Sequence, residues 1–136
     1  MWKIKDVKKL NKKEKRTLVA ATPLGEDYMR EGVIKAKDRK EKSYMAICLY
    51  NKKELIGWSM LDFFLSKKSK FIRTYIYVKT KFRRKGYGKK IIEKTKVINM
   101  KMKNKGIKVC PHNKASLKFF KKINIKKDEV VRGYKY

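Results

Sequence analysis

Histidine occurs once in the 136 residues, and cysteine and proline twice each. A metal bound by His112 would need distant carboxylates for its remaining ligands, so no metal is expected. Cys48 and Cys110 form no CxxC pair, which excludes the usual zinc and thiol-redox spacings. It also points to a reducing compartment without structural disulfides. Acidic residues are scarce: 12 Asp and Glu stand against 41 Lys and Arg, for a formal net charge of +29. No apolar run approaches the roughly 20 residues of a membrane span, and the start, MWKIKDVKKL, lacks the apolar core of a secretory signal. These absences lead to the expectation of a soluble, cytoplasmic protein with no membrane association. Repeats and low-complexity linkers are absent as well.

The length suits one domain, 1–136, and is too short for two with proper cores. Hydrophobic residues make up 42% and include eight Tyr, six Phe and two Trp, which excludes a disordered basic tail. The charge is uneven: residues 71–136 hold 22 basic and 3 acidic residues, residues 1–70 hold 19 and 9. A polyanion such as nucleic acid, or a phosphate-bearing ligand, is the partner class this favours. Lys outnumbers Arg 34 to 7, whereas nucleic-acid readers favour the Arg fork; an AT-rich coding sequence yields the same bias.

Periodicity lays out the chain. Residues 2–7 alternate as a first strand, and Val7, Leu10, Glu14, Thr17 and Leu18 have helical spacing to about Ala21. Pro23 and Gly25 break that helix, and a second is expected from Glu26 to about Lys37. Residues 43–50 and 55–65 form a hairpin about Asn51-Lys52-Lys53-Glu54, with Gly57 marking a bulge or a close backbone approach. Residues 71–78 are the third strand of this meander, with Tyr75 and Tyr77 on one face and Ile76 and Val78 on the other. Ile91, Thr95, Ile98 and Met102 give the next helix one apolar face. Residues 107–110 form a short buried strand, and Asn113 caps a helix over 114–122. Residues 123–136 leave room for one or two final strands.

Between strand 71–78 and the following helix lies VKTKFRRKGYGKK, residues 78–90. Here Arg83-Arg84-Lys85-Gly86-Tyr87-Gly88 has the spacing R-x-x-G-x-G. Glycines let a backbone approach a ligand where a Cβ would clash, and N–H groups at a helix start can hold phosphates. Three cationic side chains add charge-assisted contacts. No GK[ST] follows, so this is not a nucleotide-triphosphate loop, and the dinucleotide G-x-G-x-x-G is absent too.

The strand–RxxGxG–helix unit resembles motif A of the GNAT superfamily of acyl-CoA-dependent N-acetyltransferases. The resemblance runs from Tyr77 through Lys89 and resumes downstream, where Val109 and Asn113-x-x-Ser116-x-x-Phe119-Phe120 look like the family's second conserved block. It implies an α+β fold, a three-layer α/β arrangement with a mixed, mostly antiparallel sheet flanked by about four helices. It implies acetyl-CoA as cosubstrate and an amine acceptor. Tyr77 and Val78 would offer backbone groups to the pantetheine arm, and Arg83, Arg84, Lys85, Gly86, Tyr87, Gly88 and Lys89 would cradle the pyrophosphate. Asn113 would contact the pantetheine region, and a backbone N–H near Val78 would polarise the thioester carbonyl.

The chain departs from the family pattern at four places. The usual general-acid tyrosine falls on Phe120, and strand 71–78 carries no carboxylate. Thr80 replaces a common proline, and Asn124-Ile125 replaces Gly-Phe. The catalytic residues are therefore unassigned, with Tyr75 or Tyr87 as candidate acids and Asp62 or His112 as candidate bases acting through water. The acceptor expected from the net charge is an amine on an anionic or nucleic-acid-associated molecule. The alternative is a catalytically degenerate GNAT-fold protein that binds nucleic acid or a protein partner through its basic surface. The Lys-rich composition is compatible with a phage-encoded protein in a bacterial host, and the sequence specifies no oligomeric state.

Overall fold

The computed structural model describes residues 1–21, 44–62, 71–102, 106–109 and 114–126. The expected helix at 26–37, Phe63 and Phe64, Cys110, His112, Asn113 and the final strands beyond residue 126 lie outside the described residues. No described helix is long and apolar enough to cross a membrane.

Five strands form one sheet in chain order: β1 (Trp2–Asp6), β2 (Tyr44–Asn51), β3 (Glu54–Asp62), β4 (Phe71–Val78) and β5 (Gly106–Val109). The first four pair antiparallel and β5 joins β4 in parallel. A parallel partner requires a crossover rather than a hairpin, and helix α2 (Tyr87–Lys101) lies between the two in sequence. Helix α1 (Lys12–Ala21) follows a 3-10 turn at Val7–Lys9, and α3 (Lys114–Lys122) follows β5. The strand 2–7 and the helix from Val7 thus divide at Asp6, with the helix proper starting later than its periodicity suggests. Asn11 explains the start. Its Oδ1 accepts from Glu14 N–H (2.8 Å), and Glu14 Oε1 accepts from Asn11 N–H (3.2 Å), a reciprocal cap.

Side-chain alternation divides the core between the two sheet faces. On the α1 side, Val7, Leu10 and Leu18 pack with Ala46, Cys48, Trp58, Met60 and Tyr75. On the other, Ile47, Leu61, Ile72, Ile107 and Val109 pack with Ile92 and Phe120. Near the β2–β3 turn the pattern inverts, with Leu55 on the α1 side and Ile56 opposite. The pairing shifts there from Leu49–Gly57 to Tyr50–Leu55, leaving Ile56 as the extra residue of a bulge.

Helix α2 is held down by Ile91, Ile92, Thr95 and Asn99, all buried. Thr95 Oγ1 donates to Ile91 O (2.6 Å), so its contact with Ser59 Oγ (2.7 Å) has the β3 serine as donor. Helix α3 ends in a paired cap: Asn124 N–H reaches Lys121 O (3.1 Å) and Ile125 N–H reaches Phe120 O (3.0 Å). Asn124 takes φ 62°, the left-handed conformation that Asn accepts more readily than other non-glycine residues, so it serves where the family has glycine. Ile125 is buried in the same cluster as Phe120.

Candidate functional site

Strand β4 carries a hydrogen-bonded partner on each side only over its first half. Its pairing with β5 spans Phe71 to Thr74, whereas its pairing with β3 runs to Val78. From Tyr75 onward, no described strand faces the outer edge. The orientation of the last residues follows from Lys79, whose N–H donates to Ile56 O across the β3 side (2.9 Å). Backbone groups alternate sides along a strand. Tyr77 therefore directs its N–H and C=O to β3, and Val78 directs its own to the open edge. Arg83 agrees with this geometry: its Nε–H donates to Val78 O at 2.9 Å.

The 3-10 turn Thr80–Phe82 and residues 83–86 carry the chain from this strand end to α2. Arg84 and Gly86 adopt left-handed φ of 62° and 82°. A Cβ on Gly86 would meet nothing within 4 Å, so glycine is favoured there by backbone conformation alone. The first intrahelical bond is donated by Lys90 N–H to Gly86 O (3.2 Å), and no side chain caps the helix. The N–H groups of Tyr87, Gly88 and Lys89 therefore precede the ladder, at the positive end of a 15-residue helix. Arg84, Lys85 and Lys89 are exposed around them.

Two motif residues have roles that spacing did not suggest. Gly88 is required by packing: a Cβ would lie 2.7 Å from Phe119 Cζ on α3. Arg83 braces the turn against β4, its guanidinium lying 5.6 Å from the Tyr77 ring centroid. Tyr87 is half-buried, edge-on to Phe82 at 6.1 Å, with Lys90 over its ring at 5.5 Å.

Tyr77, Val78 and Arg83 to Lys89 are thus brought together at one strand end. The acid–base candidates are not. Tyr75 is 6% exposed, packed in the core on the α1 side. Asp62 pairs with Arg73, five residues along from the Gly57–Val78 pair. At about 3.4 Å per residue, that puts Asp62 roughly 17 Å from Val78. Of the candidates among the described residues, only Tyr87 adjoins the cradle. Phe120 is 5% exposed and part of the core. Cys48 and Tyr50, beside Glu14 on the α1 side, are no substitute bases or nucleophiles, since burial first and neighbouring acidic groups second push each up to about 12 and keep it protonated.

Gly57 supports the strand end from β3. A Cβ there would lie 2.6 Å from Tyr77 O, 2.9 Å from Ile91 Cδ1 and 3.1 Å from Val78 Cα. Both readings of this glycine, bulge and close approach, hold at once. What the sequence alone did not reveal is that the approached backbone is the site's own strand.

A strand opened at its outer edge, followed by a turn that presents free N–H groups at a helix start, suits an extended ligand with a phosphate group. No group of three or more His, Cys, Asp or Glu among the described residues could hold a metal. The sequence matches the model of the acetyltransferase (GNAT) family over residues 5–124. No curated protein matches it. Among solved structures, it resembles the PaiA N-acetyltransferase of Thermoplasma acidophilum in complex with coenzyme A (TM-score 0.63, 17% identity, 93% of this chain and 90% of that one). It also resembles AAC(6')-Iy bound to a CoA-containing bisubstrate analogue (0.66, 15%, 100% and 98%). A third is an aminoglycoside acetyltransferase from an uncultured soil metagenomic sample, in complex with trehalose (0.66, 13%, 100% and 94%). At these identities the likeness speaks for the fold, while the family match covers most of the sequence: the chain belongs to the GNAT family of acetyltransferases.

Proposed function

We propose that this GNAT acetyltransferase, whose cosubstrate is acetyl-CoA, transfers the acetyl group to an amine carried by an anionic molecule. One observation carries the reading: an outward-facing Val78 backbone and three unengaged N–H groups at the start of α2 flank the same short turn. Acetyl-CoA supplies the acetyl group as a thioester. In this reading the N–H groups of Tyr87, Gly88 and Lys89 bind its pyrophosphate, with Arg84, Lys85 and Lys89 adding charge around the turn. Gly86 shapes that turn, and Arg83 holds it against the strand. Val78 N–H hydrogen-bonds the pantetheine arm or the carbonyl oxygen, and Asn113 completes the pantetheine contacts. Tyr77 contributes its ring, beneath Arg83, because its backbone is turned to β3.

The chain then works mainly by orientation and by a fixed N–H dipole, sources that can supply several kcal/mol of barrier reduction. A positioned acid or base would add roughly 10²- to 10⁴-fold. Tyr87 adjoins the turn read here as taking the pyrophosphate, the opposite end of the pantetheine arm from the leaving thiolate, so this reading assigns it no proton to donate. The anionic character of the acceptor rests on the net charge of +29, which would repel a polyamine. A second reading, a non-catalytic binder of nucleic acid on the same basic surface, is favoured by the burial of Phe120 where the family has an acid.

Release of CoA from acetyl-CoA, followed across anionic, neutral and cationic amines, tests the two. Turnover that favours anionic amines supports transfer. Acetyl-CoA binding without turnover on any amine, with salt-dependent RNA binding, would replace it by the second reading.

A further inference from the structure

Strand β1 forms one margin of the sheet, and among the described residues no strand pairs with its outer edge. Met1 and Tyr50 exchange both backbone hydrogen bonds: Met1 N donates to Tyr50 O (2.9 Å), and Tyr50 N–H donates to Met1 O (2.8 Å). Such pairs alternate along an antiparallel ladder, so Lys3 and Lys5 bond inward to Cys48 and Ala46, their partners in register. Trp2 and Ile4 turn their own N–H and C=O outward. Sheet edges are commonly blunted by charged side chains. Here both lysines are drawn to the α1 face, Lys5 to Glu14 Oε1 (3.0 Å) and Lys3 over the Tyr50 ring (5.0 Å). Ile4, on the α2 face opposite Ile47, stays 43% exposed.

Helix α2 walls this edge on one side. Ile91 lies against Gly57 and Thr95 against Ser59, levels that the register carries across the sheet to Trp2 and Ile4. The helix thus runs alongside β1 in the direction from Trp2 toward Asp6. Its flank toward β1 is marked by Lys94, whose Nζ lies 5.8 Å from the Trp2 ring centroid. Ile98 and Lys101 follow on that flank at helical spacing, with Val97 beside them, 48% exposed. Among the described residues, neither Lys94 nor Lys101 is paired with a carboxylate. Glu93, the one acid of α2, is a single residue from Lys94, a separation that turns the two apart. Open backbone, an exposed apolar side chain and two cations therefore converge on one edge. An extended segment with an apolar residue between acidic ones fits it. A second copy of this chain does not, since at a net charge of +29 it would set lysines against lysines.

We propose that an acidic segment of a partner protein adds to the sheet on the outer edge of β1, as an antiparallel strand, the more stable pairing. Its apolar side chain lies on Ile4 and its carboxylates reach Lys94 and Lys101. In this mode main-chain bonds supply affinity and alternate side chains supply selectivity. The edge is three strands from β4, about 14 Å across the sheet, so the acetyl-CoA site stays free. The probe is the end-capped peptide Thr-Glu-Thr-Val-Thr-Glu-Thr, titrated calorimetrically at physiological salt. One control is the scrambled Glu-Glu-Thr-Thr-Val-Thr-Thr, of equal charge. The other is the probe with an N-methylated valine, which cannot donate to Ile4 O. The probe is expected to bind about tenfold or more tightly than either control. The variant K94Q/K101Q should erase that advantage, as should Ile4→Glu at its exposed position, both with acetyl-CoA affinity unchanged. The charge-matched K118Q/K122Q, on exposed positions of α3, should preserve it. No binding of the probe, equal affinity for the three peptides, or equal losses in the two double variants would overturn the site. A wild type that sediments as a dimer would overturn the partner, assigning the edge to a second copy.

Discussion

Gly57→Ala tests how the site is supported. The added Cβ would sit 2.6 Å from a backbone oxygen, Tyr77 O, and 2.9 Å from Ile91 Cδ1. The isoleucine end can rotate, but the carbonyl can move only with β4. Reaching ordinary contact requires a shift of roughly 0.8 Å at the strand end. Overpacking of this kind costs about 1–3 kcal/mol. The φ of Gly57 is not left-handed, so alanine also recovers about 0.4–1 kcal/mol by restricting the unfolded chain. The net loss is about 1–2 kcal/mol, or roughly 4–8 °C in melting temperature for a domain of this size. Because Gly57 pairs with Val78, acetyl-CoA affinity should fall with stability, by about tenfold, given how steeply a misplaced site loses activity. Gly106→Ala is the control: its Cβ would meet only the Phe71 ring, at 3.0 Å, far from the strand end. It should leave acetyl-CoA binding alone. A Gly57→Ala protein that melts at or above the wild-type temperature and binds acetyl-CoA equally well would refute the close approach.

Gly88→Ala should destabilise by about 1–3 kcal/mol through its clash with Phe119. Adding Phe119→Leu should recover part of that, read as a coupling energy in a double-mutant cycle. Phe120→Tyr places a hydroxyl in the core and should cost about 1–3 kcal/mol in chemical denaturation. It should not raise the rate of CoA release, which an acid restored to the reaction centre would do. Burial raises the Glu14 carboxyl, but hydrogen bonds from Lys5 and Asn11 N–H outweigh it and hold the group below its ordinary value of 4.5. A folded-state value below the unfolded one adds stability that is present above pH 4.5 and lost as pH falls below it. Thermal melts of Glu14→Gln should therefore lose part of the wild-type decline in that acid range.

Local patterns made much of the fold legible. The alternation of β4 places Tyr75 and Tyr77 opposite Ile76 and Val78, as the two core clusters confirm. The helix over 114–122 has the bounds its spacing implied. Ile91 and Thr95 are buried as read, Ile92 and Asn99 are buried with them, and Ile98 and Met102 of the expected face are only partly buried. The cradle was legible because a strand, a glycine turn and a helix start are contiguous in sequence. Long-range contacts were not. Phe119 gives Gly88 its reason, and Gly57 touches β4 only once the strands are paired. Asp62 looked available until the register put it at the far end of β3.

The central claim is that the turn before α2 holds the pyrophosphate of acetyl-CoA, and calorimetric titration with acetyl-CoA tests it most directly. Gly86 is the residue to vary, being exposed, left-handed and free of neighbours within 4 Å. Wild-type protein should bind one acetyl-CoA. Gly86→Asn, whose side chain tolerates the left-handed conformation, should retain most of the affinity, and Gly86→Glu, which puts a carboxylate beside the phosphates, should abolish it. A wild type that shows no binding, or a Gly86→Glu protein that binds as tightly as Gly86→Asn, would contradict the account.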